Sequence, residues 1–191
     1  MNRLRQDRRP HAATPSQTRP GLDRTWIARI VPFLVAIAVY LPTLGSGFVW
    51  DDVSFIVRNP AAHDWSGIGE SLGHGYGWVP HESGVAETIE GGARDSALYY
   101  RPLVTLANGL QWVVSAGRPG AFHGLNLALH AIVSALVASI LLALGAGALW
   151  AGLVGVLFAV HPMASEAVAW ISGRTDLMAT SCVTVAVWFW V

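Results

Sequence analysis

Two carboxylates stand side by side at Asp51 and Asp52, directly after the aromatic run Phe48-Val49-Trp50. They follow the first long apolar segment, about 26–44, and so sit where lipid would give way to water. There an acid can bind a cation or take a proton without the full cost of burying charge in hydrocarbon. Either aspartate could serve as a hard oxygen ligand for a divalent cation, Mg²⁺ or Mn²⁺. Side chains of neighbouring residues diverge in an extended segment. The pair is therefore expected to split into one catalytic aspartate and one supporting it. A helix cap plus a solvated acid is the competing reading.

Three further polar islands are placed to complete a pocket with that pair. In the first, Arg101 follows Tyr99-Tyr100 and precedes Pro102. Its guanidinium can hold a phosphate by paired N–H bonds, or can snorkel to lipid headgroups. In the second, His123, Asn126 and His130 recur at helical spacing and share one face. Hydrogen bonds between helices would account for that stripe; His123, nearest its start, is the member expected in or near a site. The third island, 161–176, carries His161, Glu166, Arg174 and Asp176. Arg174 is a second candidate phosphate clamp, or a simple ion-pair partner of Asp176.

Composition dictates the elements that must position these residues. The chain is 53% hydrophobic and 13% charged, with a mean hydropathy of +0.45. Gathered into long uncharged runs, this implies an all-α polytopic membrane protein. The net charge of zero argues against a nucleic-acid-binding surface. Cys182 is the single cysteine, which excludes an internal disulfide and a thiolate metal site. All basic residues are arginine, which reads as coding bias rather than function.

Residues 1–24 are rich in arginine and proline, cannot bury a core, and are expected to be a disordered cytoplasmic tail. The membrane domain, 25–191, is expected to have spans at about 26–44, 121–144 and 148–162, and a truncated one at 176–191. A single helix over 121–163 would reach roughly 60 Å, twice the bilayer core, so it must turn at Gly145-Ala146-Gly147. The outer loop 46–120 should contain a short amphipathic helix at 66–72 and an interfacial helix at 102–116. The latter is an apolar stretch of only about fourteen residues that contains Asn108 and Gln111, too short for a span. His63, His74 and His81 read as solvated loop residues. A helix over 162–172 ending at Gly173 is expected, with Thr175 capping the last span. That last run is short for a span, which reads as the N-terminal fragment of a larger protein.

FVWDD after the first span, YYRPL, FHGLNLALH and FAVHPMASEAVAWISGRTDL resemble, in order and spacing, the transmembrane and tetratricopeptide-repeat O-mannosyltransferases and their bacterial relatives. The resemblance covers about residue 41 to the end. It implies the N-terminal part of a C-type glycosyltransferase helical bundle with a long first outer loop, here in a bacterial inner membrane. It also implies a polyprenyl-phosphate-linked sugar donor, a protein or glycan acceptor, and an essential acid in the first outer loop, matched by Asp51 and Asp52. Arg101 and Arg174 would bind donor phosphate, with Tyr100, His123, His161, Glu166 and Asp176 in support. The alternative is a non-catalytic membrane scaffold or transporter component.

Overall fold

The computed structural model describes residues 22–80 and 99–191. Most of the expected Arg-rich tail lies outside the described residues, as do His81 and the loop acids Glu82, Glu87, Glu90 and Asp95. Among the described residues every regular element is helical.

Helix α1 (Leu22–Tyr40) runs into a 3₁₀ turn at Leu41–Gly45. After a π-helical turn (Val53–Val57) and a 3₁₀ turn (Pro60–Ala62) come α2 (Trp65–Ser71), α3 (Pro102–Ser115), α4 (Pro119–Ala143) and α5 (Ala148–Ala159). The chain ends with α6 (Ala164–Ala169), a 3₁₀ turn (Ile171–Gly173) and α7 (Arg174–Trp190). Two segments, Thr25–Gly45 and Pro119–Ala143, are long and apolar enough to cross a membrane.

Three differences from the sequence reading have local causes. Helix α5 stops at Ala159 after 12 residues, reaching about 18 Å, because Pro162 disfavours helical backbone at the residue before it. The expected 162–172 helix is broken at Trp170, whose backbone is extended (φ −95°, ψ 127°). Helix α7 therefore begins at Arg174 behind Gly173, and Thr175 lies inside its first turn rather than capping it.

The turn between α4 and α5 is a Schellman closure. Ala146 N–H donates to Leu141 O at 2.9 Å and Gly145 N–H to Leu142 O at 3.1 Å. Gly145 takes φ +88°, a conformation open to glycine at little cost.

Helices α1, α4 and α5 pack tightly through small residues, with Ala36, Ala131 and Ala159 fully buried. At Gly155 a Cβ would lie 2.6 Å from Pro32 Cγ and 3.1 Å from Ser134 O. A second cluster, Tyr40, Leu127, Val168 and Leu177, ties α6 and α7 to α1 and α4. A third, Ile56, Phe122 and Ile171 with Phe48 and Trp112 against it, clamps the loop segment onto the end of the bundle.

Helix α3 turns an apolar stripe outward and a mixed face carrying Asn108 inward. Leu103, Leu106, Leu110 and Val114 are exposed along one stripe, whereas Val104, Asn108 and Gly109 are buried. Gly109 lets α2 approach closely enough that Ile68 occupies the space of a Cβ.

Candidate active site

The site is built from a sharp reversal of the chain at the end of the first apolar segment. Trp50 takes φ +48°, a left-handed conformation that costs a bulky residue about 1–3 kcal/mol. Val53 N–H then closes on Trp50 O at 3.0 Å, starting a helical turn whose first residue is Asp51. The two carboxylates separate at once: Asp51 is exposed and Asp52 is fully buried.

Asp52 has a defined structural task. Its Oδ1 accepts hydrogen bonds from Ser172 N–H (2.8 Å) and Ser172 Oγ–H (2.6 Å). Its Oδ2 accepts one from Val49 N–H at 3.2 Å. A charged acceptor with donors on both oxygens holds its partners about twice as strongly as a neutral one. The reversal at 49–52 is thus pinned to the 3₁₀ turn preceding α7, and Trp50 meets Trp170 edge-to-face at 6.1 Å beside the joint.

Two residues beyond Ser172, Arg174 is completely buried. Its Nε donates to Asn126 Oδ1 (3.0 Å), Nη1 to Asn108 Oδ1 (2.7 Å) and Nη2 to Phe122 O (3.0 Å). Its guanidinium also faces the Phe122 ring at 5.4 Å. One side chain therefore joins α3, α4 and α7. Asn126 returns the link by donating to Trp170 O at 3.0 Å. Asn108 donates to the buried Tyr76 hydroxyl at 3.4 Å. Burial holds the Tyr76 phenol above its ordinary pKa, against the opposing hydrogen bond from Asn108. Asp52 lies within electrostatic reach of both Arg174 and Tyr76.

This changes the role of Arg174. Its donors are turned inward and it has no exposed surface, so it presents no edge outside the fold to the expected donor phosphate. It does not pair with Asp176, which is exposed in the first turn of α7. Arg101 is different. It is half-buried at the start of α3, stacked by Tyr99 (5.0 Å) and Tyr76 (5.6 Å). Its Nη1 lies 3.4 Å from Thr175 Oγ1, in the first turn of α7. A guanidinium held by aromatic faces keeps its N–H edges for an oxyanion.

The other expected site residues divide. Tyr100 is exposed and donates from its hydroxyl to Leu72 O at 3.0 Å, fixing the approach to α3. His123 is buried, with Nε2 3.4 Å from Gly47 O and Nδ1 unpartnered. His130 bonds Ala159 O at 3.0 Å, an interhelical tie. His161 is exposed, its Nδ1 accepting from Met163 N–H, and Glu166 is exposed on α6. Neither is joined to the Asp52–Ser172 or Arg174 contacts. His63 is not simply solvated: it stacks on Trp112 at 3.9 Å and contacts Ile56 O.

The donor set does not form a cation cage. Both Asp52 oxygens are taken by protein donors, and among the described residues no three His, Cys, Asp or Glu side chains converge. Asp52 is thus committed to protein donors, and Asp51 is the carboxylate left open to solvent.

Two residues central to this geometry are not in the sequence-derived site. Asn108 carried a signal, a lone amide in an apolar helix. Ser172 carried none, since a serine before glycine reads as an ordinary turn.

A helical membrane-type bundle with its polar chemistry gathered at one end is the class these features define. No protein-family model matches the chain, and no solved structure matches it. Among curated proteins it is 35% identical over 150 residues to the protein O-mannosyl-transferase Tmtc2 of Drosophila melanogaster, covering 78% of this chain. It is 32% identical over 181 residues to Tmtc1 of the same species, covering 91% of this chain. Against human TMTC2 it is 32% identical over 157 residues, covering 81% of this chain. The chain belongs to this family of O-mannosyl-transferases. It spans 15%, 20% and 17% of the length of these three relatives.

Proposed function

We propose that the chain contributes the catalytic end of a membrane glycosyltransferase that moves a sugar from a polyprenyl-phosphate donor to a protein hydroxyl. The observation that carries this is the Asp52–Ser172 joint. It locks the reversal presenting Asp51 onto the segment that leads into Arg174 and Thr175, the latter beside Arg101. Acid and cation are thereby held at one end of the bundle.

In this reading Asp51 takes the proton from the acceptor hydroxyl as its oxygen attacks the anomeric carbon. The bond to the donor phosphate breaks on the opposite face, with inversion, and polyprenyl phosphate leaves with its electron pair. Arg101 stabilises the charge growing on that phosphate. Asp52 and Arg174 are positioning residues. The exposed apolar stripe of α3 lies in the interface, where it flanks the donor's lipid tail. The N-terminus is cytoplasmic and the site faces the opposite side. No step runs through a metal ion.

The names of the relatives support a protein acceptor and mannosyl transfer. A transporter would gather its ionisable groups near mid-membrane, which the clustering of Asp51, Asp52, Arg101 and Arg174 at one end does not suit. The test uses the full-length protein in membranes, a labelled polyprenyl-phosphate hexose and a Ser/Thr peptide. Asp51→Asn should abolish transfer while the protein still inserts. Undiminished transfer would end this reading.

A further inference from the structure

Burial does not explain why the strained residue beside the carboxylate is tryptophan. Trp50 adopts φ +48°, where glycine or asparagine would sit with less strain. Its side chain is 81% exposed, so it contributes little to the core. Trp170 meets it edge-to-face at 6.1 Å and 78°, which sets the tilt of the indole without covering it. A strained outlier that buries nothing calls for a use outside the fold.

Anchoring at a lipid headgroup layer does not explain the strain. An indole reaches that layer from ordinary helical or extended backbone, as exposed Trp26 on α1 illustrates. What accompanies the left-handed turn is exposure: the indole and the carboxylate that follows it in the chain both stand open on the segment pinned through Asp52 to Ser172.

That pair has the chemistry of a sugar platform. The face of an indole carries partial negative charge and attracts the polarised C–H bonds on one side of a pyranose ring. An adjoining carboxylate accepts from a hydroxyl group. We infer that Trp50 is the stacking platform for the hexopyranose of the donor, positioning the sugar's anomeric carbon for the acceptor oxygen that Asp51 deprotonates. This rests on the glycosyltransferase reading above and names a residue and a ligand class within it.

The test compares Trp50→Leu, Trp50→Gly and Trp50→Phe in the full-length protein, with Asp51→Asn alongside. Leucine keeps apolar bulk but has no π-face. Glycine relieves the backbone and removes the side chain. Phenylalanine keeps a smaller face.

Both Leu and Gly should raise KM for the polyprenyl-phosphate hexose by about three- to tenfold, with a smaller change in kcat. Phe should fall between them and the parent protein. A KM for Leu equal to that of the parent would overturn the platform, even with Asp51→Asn inactive. So would a Gly variant that loses thermal stability along with activity, since Trp50 would then be structural. If Asp51→Asn is fully active, the underlying reading fails instead, whatever the Trp50 variants do.

Discussion

The two ends of the bundle are built on opposite plans. At the loop end, helices are short or broken, the backbone is left-handed at Trp50, and buried polar groups at Asp52, Asn108, Asn126 and Arg174 are cross-linked. At the hinge end, beside the turn at Gly145, α1 and α5 approach through Ala28 and Gly152, and further along α1, α4 and α5 meet at Ala36, Ala131 and Ala159. That end opens into a groove of about 1580 Å³, lined largely by apolar side chains with Arg29 and Thr25 among them. A buried polar network is stable only if its members are satisfied, so it demands specific partners. An apolar packing surface demands only shape. The loop end should therefore be sensitive to chemistry and the hinge end to volume.

The sharpest test is functional. Asp51→Asn should lower transfer by about 10²–10⁴ while leaving the melting midpoint in detergent unchanged, because the carboxylate is exposed. A drop in melting midpoint as large as that from Arg174→Ala would erase the distinction between Asp51 and the buried groups.

Arg174→Ala strands Asn108 Oδ1, Asn126 Oδ1 and Phe122 O, and should destabilise by about 3–4 kcal/mol, read by thermal unfolding. Arg174→Lys should recover little, since an ammonium cannot reproduce the guanidinium fork. Stability close to the parent in the Ala variant would show that the network is ornamental.

Gly155→Leu at the middle of the other packing plan should cost about 1–3 kcal/mol by overpacking against Pro32 and Ser134. Activity measured well below the melting point should persist. Equal loss of transfer and stability would mean that the two ends are not separable.

Ser172→Ala removes one of the two Ser172 donors to Asp52 and keeps the backbone bond. A loss of about 1 kcal/mol is expected, with a fall in kcat that Ser172→Thr partly restores. The smallest effect is at Asp64, whose carboxylate caps α2. Its pKa is held below the ordinary value chiefly by the Gly67 N–H, then by Ser66. A depressed pKa means the cap is intact above the ordinary carboxylate range and is lost as pH falls through the folded value. The protection of α2 amides relative to intrinsic exchange should therefore fall only below about pH 4, and Asp64→Asn should remove that fall.

Much of the helical layout was legible, because it rests on local signals. Apolar length marked α1 and α4, the Gly-Ala-Gly run marked the hinge, and Pro162 carried the information that ends α5, though it was read as a helix start. The family was legible from four motifs in order. The division of labour within the site was not. Arg174 and Arg101 look alike on the page, yet one is buried under three acceptors from two other helices and the other is half-buried against the rings of Tyr99 and Tyr76.

The sequence alone determined that this is a helical chain with long apolar segments and four polar islands, since periodicity, hydropathy and proline act over a few residues. Only the tertiary structure decided that Asp52 faces inward and Asp51 outward, that Ser172 meets Asp52, and that Arg174 is buried against Asn108, Asn126 and Phe122. Those assignments depend on which donors and acceptors meet across gaps of 48 to 120 residues. Burial converts each such meeting into an obligation, because a polar group cut off from water must find its partner inside the protein.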